Sequence, residues 1–344
     1  MKTYNNLFEK VSSFENLYLA YLKARKCKRY KLEILKFSYN LEENLLSLEE
    51  ELLNQTYQHG GYREFVVSDS KKRLIRAAPF RDRVVHHALC NIIESIFDKG
   101  FIYDSYACRK GKGTHKAVKR LEEFIRVLLA KSKGEIYCLK CDISKYFETI
   151  DHEILFALFK KKIADPKVLW LLKEILESSE NLSSTGIPIG NLTSQLFANI
   201  YLNELDQFMK HCLRVRYYLR YMDDFIVLGF DKKNFHQIKK EIREFVENKL
   251  KLKMHPKKFN ISLVGEGIDF LGYRIFGNYR LLRKSTVKRF IKRTKVYQKK
   301  LSESLMTEEK FTDSLRSWLD YAEYANSWRL RKDLSRKLAI DLSG

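Results

Sequence analysis

The sequence predicts an α+β protein built on a small, mainly antiparallel sheet and closed by an all-helical C-terminal part. Three observations carry that expectation. Apolar residues recur at spacings of three and four over most of the chain, as in Phe235, Ile238, Ile242, Phe245, Val246 and Leu250. Short runs rich in Val, Ile, Tyr and Phe sit between those helical stretches, which favours strands interleaved with helices. Beyond residue 284 no strand pattern remains, and residues 284–300 hold eight Lys/Arg and no acid.

In chain order, helical periodicity covers 4–24 and 31–54. Strands are expected at 62–67 and 72–77. Thr114, after Arg-Lys-Gly-Lys-Gly, reads as the N-cap of a helix to about Lys131. A strand follows at 135–143, then a helix from Asp151 and another with Pro166 in its first turn. Strands at 216–222 and 225–230 precede a helix at 232–250, and a last strand is expected at 269–275. These elements suggest a helical extension (1–60), a central domain (61–283) and a helical unit (284–344).

The 344 residues carry 65 Lys+Arg against 43 Asp+Glu, a net charge of +22. That excess points to a polyanionic partner, nucleic acid before an anionic membrane. With 20 Tyr and 22 Phe, the chain has ample material for a core and is not of disordered composition. The most apolar windows fall well short of the roughly 18 residues a spanning helix needs. The first residues lack a signal-peptide pattern, so cytoplasmic location and reduced thiols are expected. Cys138-x-x-Cys141 has no second pair and lies in a strand, where residues three apart face opposite sides, so zinc is not expected. His86-His87 and His115 lack ligand partners at useful spacing. Gly111-Lys-Gly113 is too short for a nucleotide-binding P-loop.

The chemistry concentrates in RVRYYLRYMDDFIVLGF (214–230). Two β-rich runs flank Met222-Asp223-Asp224, so both aspartates sit at a hairpin. Asp-Asp there has two readings, a polar turn or a carboxylate pair awaiting a cation. Asp142, at the end of another strand, makes the second more specific. Three such carboxylates can build a two-metal site with ions roughly 3.5–4 Å apart for phosphoryl transfer. Carboxylate ligands suit Mg²⁺ better than zinc.

With these residues in view, the chain resembles the reverse transcriptases. Around YMDD (221–224), six blocks occur in that family's order: RLIRAAPFRDRVVHHAL (73–89), SYACRKGKGTHKAVKRL (105–121), YCLKCDISKYFETIDHEIL (137–155), GIPIGNLTSQLFANIYLNELD (186–206), LKLKMHPKKFNISL (250–263) and IDFLGYRI (268–275). The resemblance implies a right-hand polymerase of fingers and palm, with an α-helical thumb from 284. It implies RNA-directed DNA synthesis with two Mg²⁺, Mn²⁺ being a substitute, held by Asp142, Asp223, Asp224 and the Ile143 carbonyl. Phe147 resembles the ring that excludes a 2′-hydroxyl. Arg73 and Arg76 would grip the triphosphate, and Lys258, or Lys257, would protonate pyrophosphate. Phe270-Leu271-Gly272-Tyr273 resembles the primer grip.

Ile189-Gly190 stands where the family usually has Gln-Gly, and Ser194-Gln195 replaces Ser-Pro. IPIGNLTSQ resembles the reverse transcriptases of diversity-generating retroelements, which implies error-prone copying opposite template adenines. Partners implied are a template RNA, the RNA–cDNA duplex, dNTPs and a small basic pentameric accessory protein, for which the five Glu within 42–51 are one contact candidate. An antiphage-defence reverse transcriptase and a catalytically idle RNA-binding scaffold are the alternatives. Basic clusters at 23–31, 71–83, 109–120, 284–300 and 329–337 suit phosphate contacts.

Overall fold

The computed structural model describes residues 2–68, 72–131, 134–178 and 184–342. Lys71 of the second basic cluster lies outside them. Mixed helix and sheet is observed throughout. Four helices lead: α1 (Phe8–Ser12), α2 (Phe14–Ala24), α3 (Leu32–Tyr39) and α4 (Leu41–Leu53). The two long helices expected from periodicity are each broken once. Ser13 adopts an extended conformation and its side chain caps α2 through the Asn16 N–H, while Asn40 separates α3 from α4. Apolar spacing carries through such breaks, because a kink of one residue leaves both halves facing the same core.

Strands β1 (Arg63–Ser68) and β2 (Lys72–Ala77) form an antiparallel pair, Arg63 opposite Ala77. Helices α5 (Phe80–Asp98) and α6 (Thr114–Lys131) follow. Thr114 is the first residue of α6 rather than its expected cap; its hydroxyl lies 3.1 Å from the Tyr221 hydroxyl. Next come β3 (Tyr137–Asp142), α7 (Tyr146–Thr149), α8 (His152–Lys160), α9 (Pro166–Glu177) and α10 (Leu192–Gln207), which runs into a π-helical turn. Asp165 caps α9 at Lys167 and Val168 and also accepts from the Leu7 and Phe8 N–H groups, so one buried carboxylate starts two helices.

The central sheet has the order β4-β5-β3-β6, with β4 (Tyr217–Tyr221), β5 (Asp224–Gly229) and β6 (Asn260–Leu263); all its pairs are antiparallel. Helix α11 (Lys232–Asn248) connects β5 to the segment leading into β6. The strand expected at 269–275 is two strands, β7 (Ile268–Phe270) and β8 (Tyr273–Ile275), which with β9 (Arg280–Leu282) make a third sheet. Helices α12 (Lys284–Ser302), α13 (Glu308–Glu323) and α14 (Trp328–Leu338) complete the fold. Among the described residues no helix is long and apolar enough to cross a membrane.

The central sheet separates two apolar cores. One joins α1–α5 with α8–α11 and includes Leu139 and Cys141; the other joins α6, β7–β9 and α12–α14 and includes Cys138. Cys138 and Cys141, both fully buried and free, thus face opposite sides of β3, as their spacing requires. The first 60 residues share a core with the centre of the protein, and the segment after 284 shares the other, so neither is held by a linker alone.

Candidate active site

Burial of both faces fixes the register of β3, and register places the aspartates. Asp142 stands opposite Asp224 in the β3–β5 pair, and Tyr221 opposite Asp224 in the β4–β5 hairpin. Met222 takes a left-handed conformation (φ 55°) to make the two-residue turn, and the Ile143 N–H donates to the Asp223 carbonyl at 3.3 Å. Asp142, Ile143, Asp223 and Asp224 therefore meet at one end of the sheet.

The backbone around Asp142 draws in a further partner. His255 N–H donates to the Asp142 carbonyl at 2.8 Å and Ser144 N–H to Lys253 at 2.8 Å. This stitching carries residues 251–258 alongside β3 and delivers Lys258 Nζ to Asp142 Oδ2, 2.5 Å away. Lys257 is exposed, and its backbone is engaged, the N–H donating to His255 and the carbonyl accepting from Asn260. Lys140, which the motif reading did not single out, lies 3.7 Å from Asp224 and donates to the Asp269 carbonyl. Its signal was weak: a lysine in a strand of a very basic chain.

Electrostatics fits a cation-binding centre. Burial, together with Asp142, raises the Asp223 carboxyl above its ordinary range, opposed by Lys258 and Arg73. Burial pushes Asp224 up to about 6, against the pull of Lys140 and with the repulsion of Asp142 and Asp223. Asp224 Oδ1 is buried without a hydrogen-bond partner. Oxygen donors that repel one another, two of them beside lysine ammoniums, fit hard divalent cations. Among the described residues, no three acidic, imidazole or thiol groups converge closely enough to close on one ion.

Beneath the turn lies a buried ion pair. Arg220 and Asp206 are fully buried, joined at 2.6 and 2.7 Å, with Tyr218 also donating to Asp206. Arg220 further donates to the Met222 carbonyl at 3.1 Å, tying the pair to the aspartate turn. In a chain with so many arginines, sequence gave no reason to select this one.

The other expected residues surround this centre. Phe147, half-buried on α7, packs edge-on to Tyr146 and accepts the Ile187 N–H at its carbonyl, 2.7 Å. Residues 186–191 run against β2: the Ile189 carbonyl accepts from Arg76 N–H at 3.0 Å, and the Asn191 side chain bridges Arg76 and Ala78. Gly190 has φ 120°, and a Cβ there would lie 2.8 Å from Ile75 Cγ2, so glycine permits this approach. Arg73 is exposed on β2, whereas the Arg76 guanidinium is paired with Glu64 at 2.7 Å.

Leu271 (φ 47°) and Gly272 (φ 92°) form the β7–β8 turn, while Phe270 and Tyr273 are fully buried. A Cβ on Gly272 would fall 1.9 Å from the Tyr321 hydroxyl of α13, whose ring stacks on Tyr273 at 4.8 Å. Gly272→Ala is expected to lower stability by about 2 kcal/mol through strain and overlap. Thermal unfolding measures this, and adding Tyr321→Phe should recover part of the loss.

A family model described as reverse transcriptase (RNA-dependent DNA polymerase) matches residues 67–275. Protein YkfC of Escherichia coli is 26% identical over 275 residues, covering 68% of this chain and 72% of YkfC. The group II intron-encoded protein LtrA of Lactococcus lactis is 26% identical over 319 residues, covering 72% of this chain; the chain spans 51% of LtrA. A solved apo telomerase from Candida tropicalis superposes with a TM-score of 0.49 at 14% identity, over 70% of this chain and 58% of the telomerase. With a family match running from residue 67 to residue 275, the chain belongs to the reverse transcriptases.

Proposed function

We propose that the protein is an RNA-directed DNA polymerase that extends a primer on a template RNA. The observation that carries this is the meeting of Asp142, Asp223 and Asp224 at one sheet end beside Lys258. In this reading residues 61–283 are fingers and palm, residues 284–344 the thumb, and residues 1–60 a helical extension. The three aspartates, with the Ile143 carbonyl, would hold two Mg²⁺ or Mn²⁺. Bound there, such a pair supplies activation of the primer 3′-hydroxyl and neutralisation of charge on the phosphates. Lys258, already within the centre, protonates the departing pyrophosphate. Arg73 reaches toward the triphosphate; Arg76, engaged by Glu64, would need to change partner to do so. Phe147 stands under the sugar, and the Phe270–Tyr273 turn supports the primer strand.

The branch we propose is a diversity-generating retroelement, supported by the motif IPIGNLTSQ at 187–195. A Gln can hydrogen-bond a base or nucleotide, whereas Ile189 offers only apolar contact, so mispairs opposite adenine are rejected weakly. A small basic pentameric protein would accompany the enzyme. LtrA's description as intron-encoded supports a second reading, an intron-type enzyme of ordinary fidelity. Sequencing cDNA from the wild type and Ile189→Gln separates them. We expect misincorporation opposite template adenine to fall several-fold in the variant; equal error rates would remove Ile189 from the account of fidelity.

A further inference from the structure

Residues 184–191 form a strap between two parts of the proposed site. On one side the strap is laced to residues 147–152. Ile187 N–H donates to the Phe147 carbonyl at 2.7 Å, Gly186 N–H to the Ile150 carbonyl at 2.8 Å, and His152 N–H to the Ser184 carbonyl at 3.0 Å. Asp151 and Thr185 pair there as an isolated antiparallel bridge. On the other side the strap meets β2 through Ile189, Gly190 and Asn191. One side chain adds to the main-chain lacing. His152, half-buried in the first turn of α8, has Nε2 2.6 Å from the Gly186 carbonyl. A carbonyl only accepts, so Nε2 carries the hydrogen and donates it. The helix behind this donor is fixed at its start, because Asp151 accepts from Ile154 N–H at 3.0 Å and pairs with Lys251 at 2.7 Å. Gly186 has φ 93°, and a Cβ there would lie 3.0 Å from the Glu148 carbonyl oxygen, so the strap runs close against the α7 turn at this point.

We propose that His152 is a positioning residue that sets the spacing between Phe147 and Ile189, and so governs selection of the sugar and of the base together. The inference rests on the polymerase reading, in which Phe147 stands under the sugar and Ile189 beside the new base pair. Its physical basis is the shortness of the path. Phe147 is bonded to Ile187 directly, and two residues of chain span at most about 7 Å, so a shift of the strap at Gly186 reaches both contact residues. Without the imidazole the three main-chain bonds remain, so the strap stays in place. What is lost is a side-chain restraint anchored in a capped helix, and with it the fixed separation of the two contacts. Neither Phe147 nor Ile189 touches His152 through its own side chain, so a change there alters selection only through the strap.

The test compares the full-length wild type with His152→Phe, which keeps a flat ring and removes the donor, and with His152→Gln, whose amide can donate to the same carbonyl. Single-nucleotide incorporation on a primed RNA template gives kcat/KM for the matched dNTP, the matched rNTP and a mismatched dNTP. In His152→Phe, the preference for dNTP over rNTP and the preference for the matched base should both fall about threefold or more, the size of one lost hydrogen bond. His152→Gln should regain most of both. Each preference is a ratio of two constants from one preparation, so a loss of folded enzyme cancels from it. Hydrogen exchange of the amides in 184–191 should be faster in His152→Phe and slow again in His152→Gln. Unmoved ratios in His152→Phe, a fall in only one of them, unchanged exchange, or no recovery with glutamine would overturn the role of His152. A wild type that makes no DNA would remove the polymerase reading and this inference with it; a wild type that copies RNA while His152→Phe selects as well as it does would remove His152 alone.

Discussion

Asp223→Asn is expected to reduce DNA synthesis on an RNA template by about three orders of magnitude or more, while leaving the fold as stable or more stable. The two halves have one cause. Asp223 and Asp224 are held above their ordinary carboxyl range by burial and by neighbouring carboxylates. A neutral amide removes repulsion from the resting protein, and Asp224→Asn should likewise raise the unfolding midpoint. The same change removes a proposed metal ligand, and about 4 kcal/mol on the barrier corresponds to a thousandfold in rate. Primer extension with Mg²⁺ and with Mn²⁺, beside thermal unfolding, reads both. A variant that keeps a tenth of the activity would sink the proposed role of Asp223. A wild type that incorporates no dNTP with either ion would favour an idle RNA-binding scaffold.

The second large effect concerns stability. Arg220→Met should cost about 3–5 kcal/mol, because Asp206 is then a buried charge with no cation beside it. Asp206→Leu combined with Arg220→Met should regain much of that loss, since burying two apolar groups avoids the unpaired charge. Denaturant unfolding measures each term. The recovered double variant should still copy RNA more slowly than the wild type. Arg220 also holds the Met222 carbonyl, and without it the turn carrying Asp223 loses a support. Full activity in the double variant would reduce the ion pair to a packing element.

What the sequence made legible follows from how local the signals are. The run 72–77 is β2 to the residue, and the YMDD hairpin and the helix start at Asp151 need only neighbours to be read. Six ordered blocks were enough to reach the family. Strand β6 went unseen: Asn260–Leu263 is four residues long, half polar, and acquires strand character only by pairing with β3. The primer-grip resemblance implied a turn at Phe270–Tyr273, but the strand pattern over 269–275 hid the break between β7 and β8, because leucine rarely adopts positive φ and Leu271 is held there by both strands around it. Arg220, Lys140 and Tyr321 act across 14 residues or more, on Asp206, Asp224 and Gly272, so no window of sequence displays the contact. The pairing of Lys258 with Asp142 is the instructive middle case: the motif named both residues, and only the fold shows how one holds the other.

The partition of the interior by β3 bears on how the protein is made. One side of that strand is covered by helices drawn from as early as residue 7, the other by side chains as late as Leu342. On a ribosome, both faces acquire part of their cover early, the one bearing Cys141 from α1–α5 and the one bearing Cys138 from α6, but the second is complete only when the last helices emerge. Until then, the strand that carries Asp142 has one side only partly covered. This is the state in which a nascent chain most needs a chaperone, and in which truncation late in the chain would be felt at its centre.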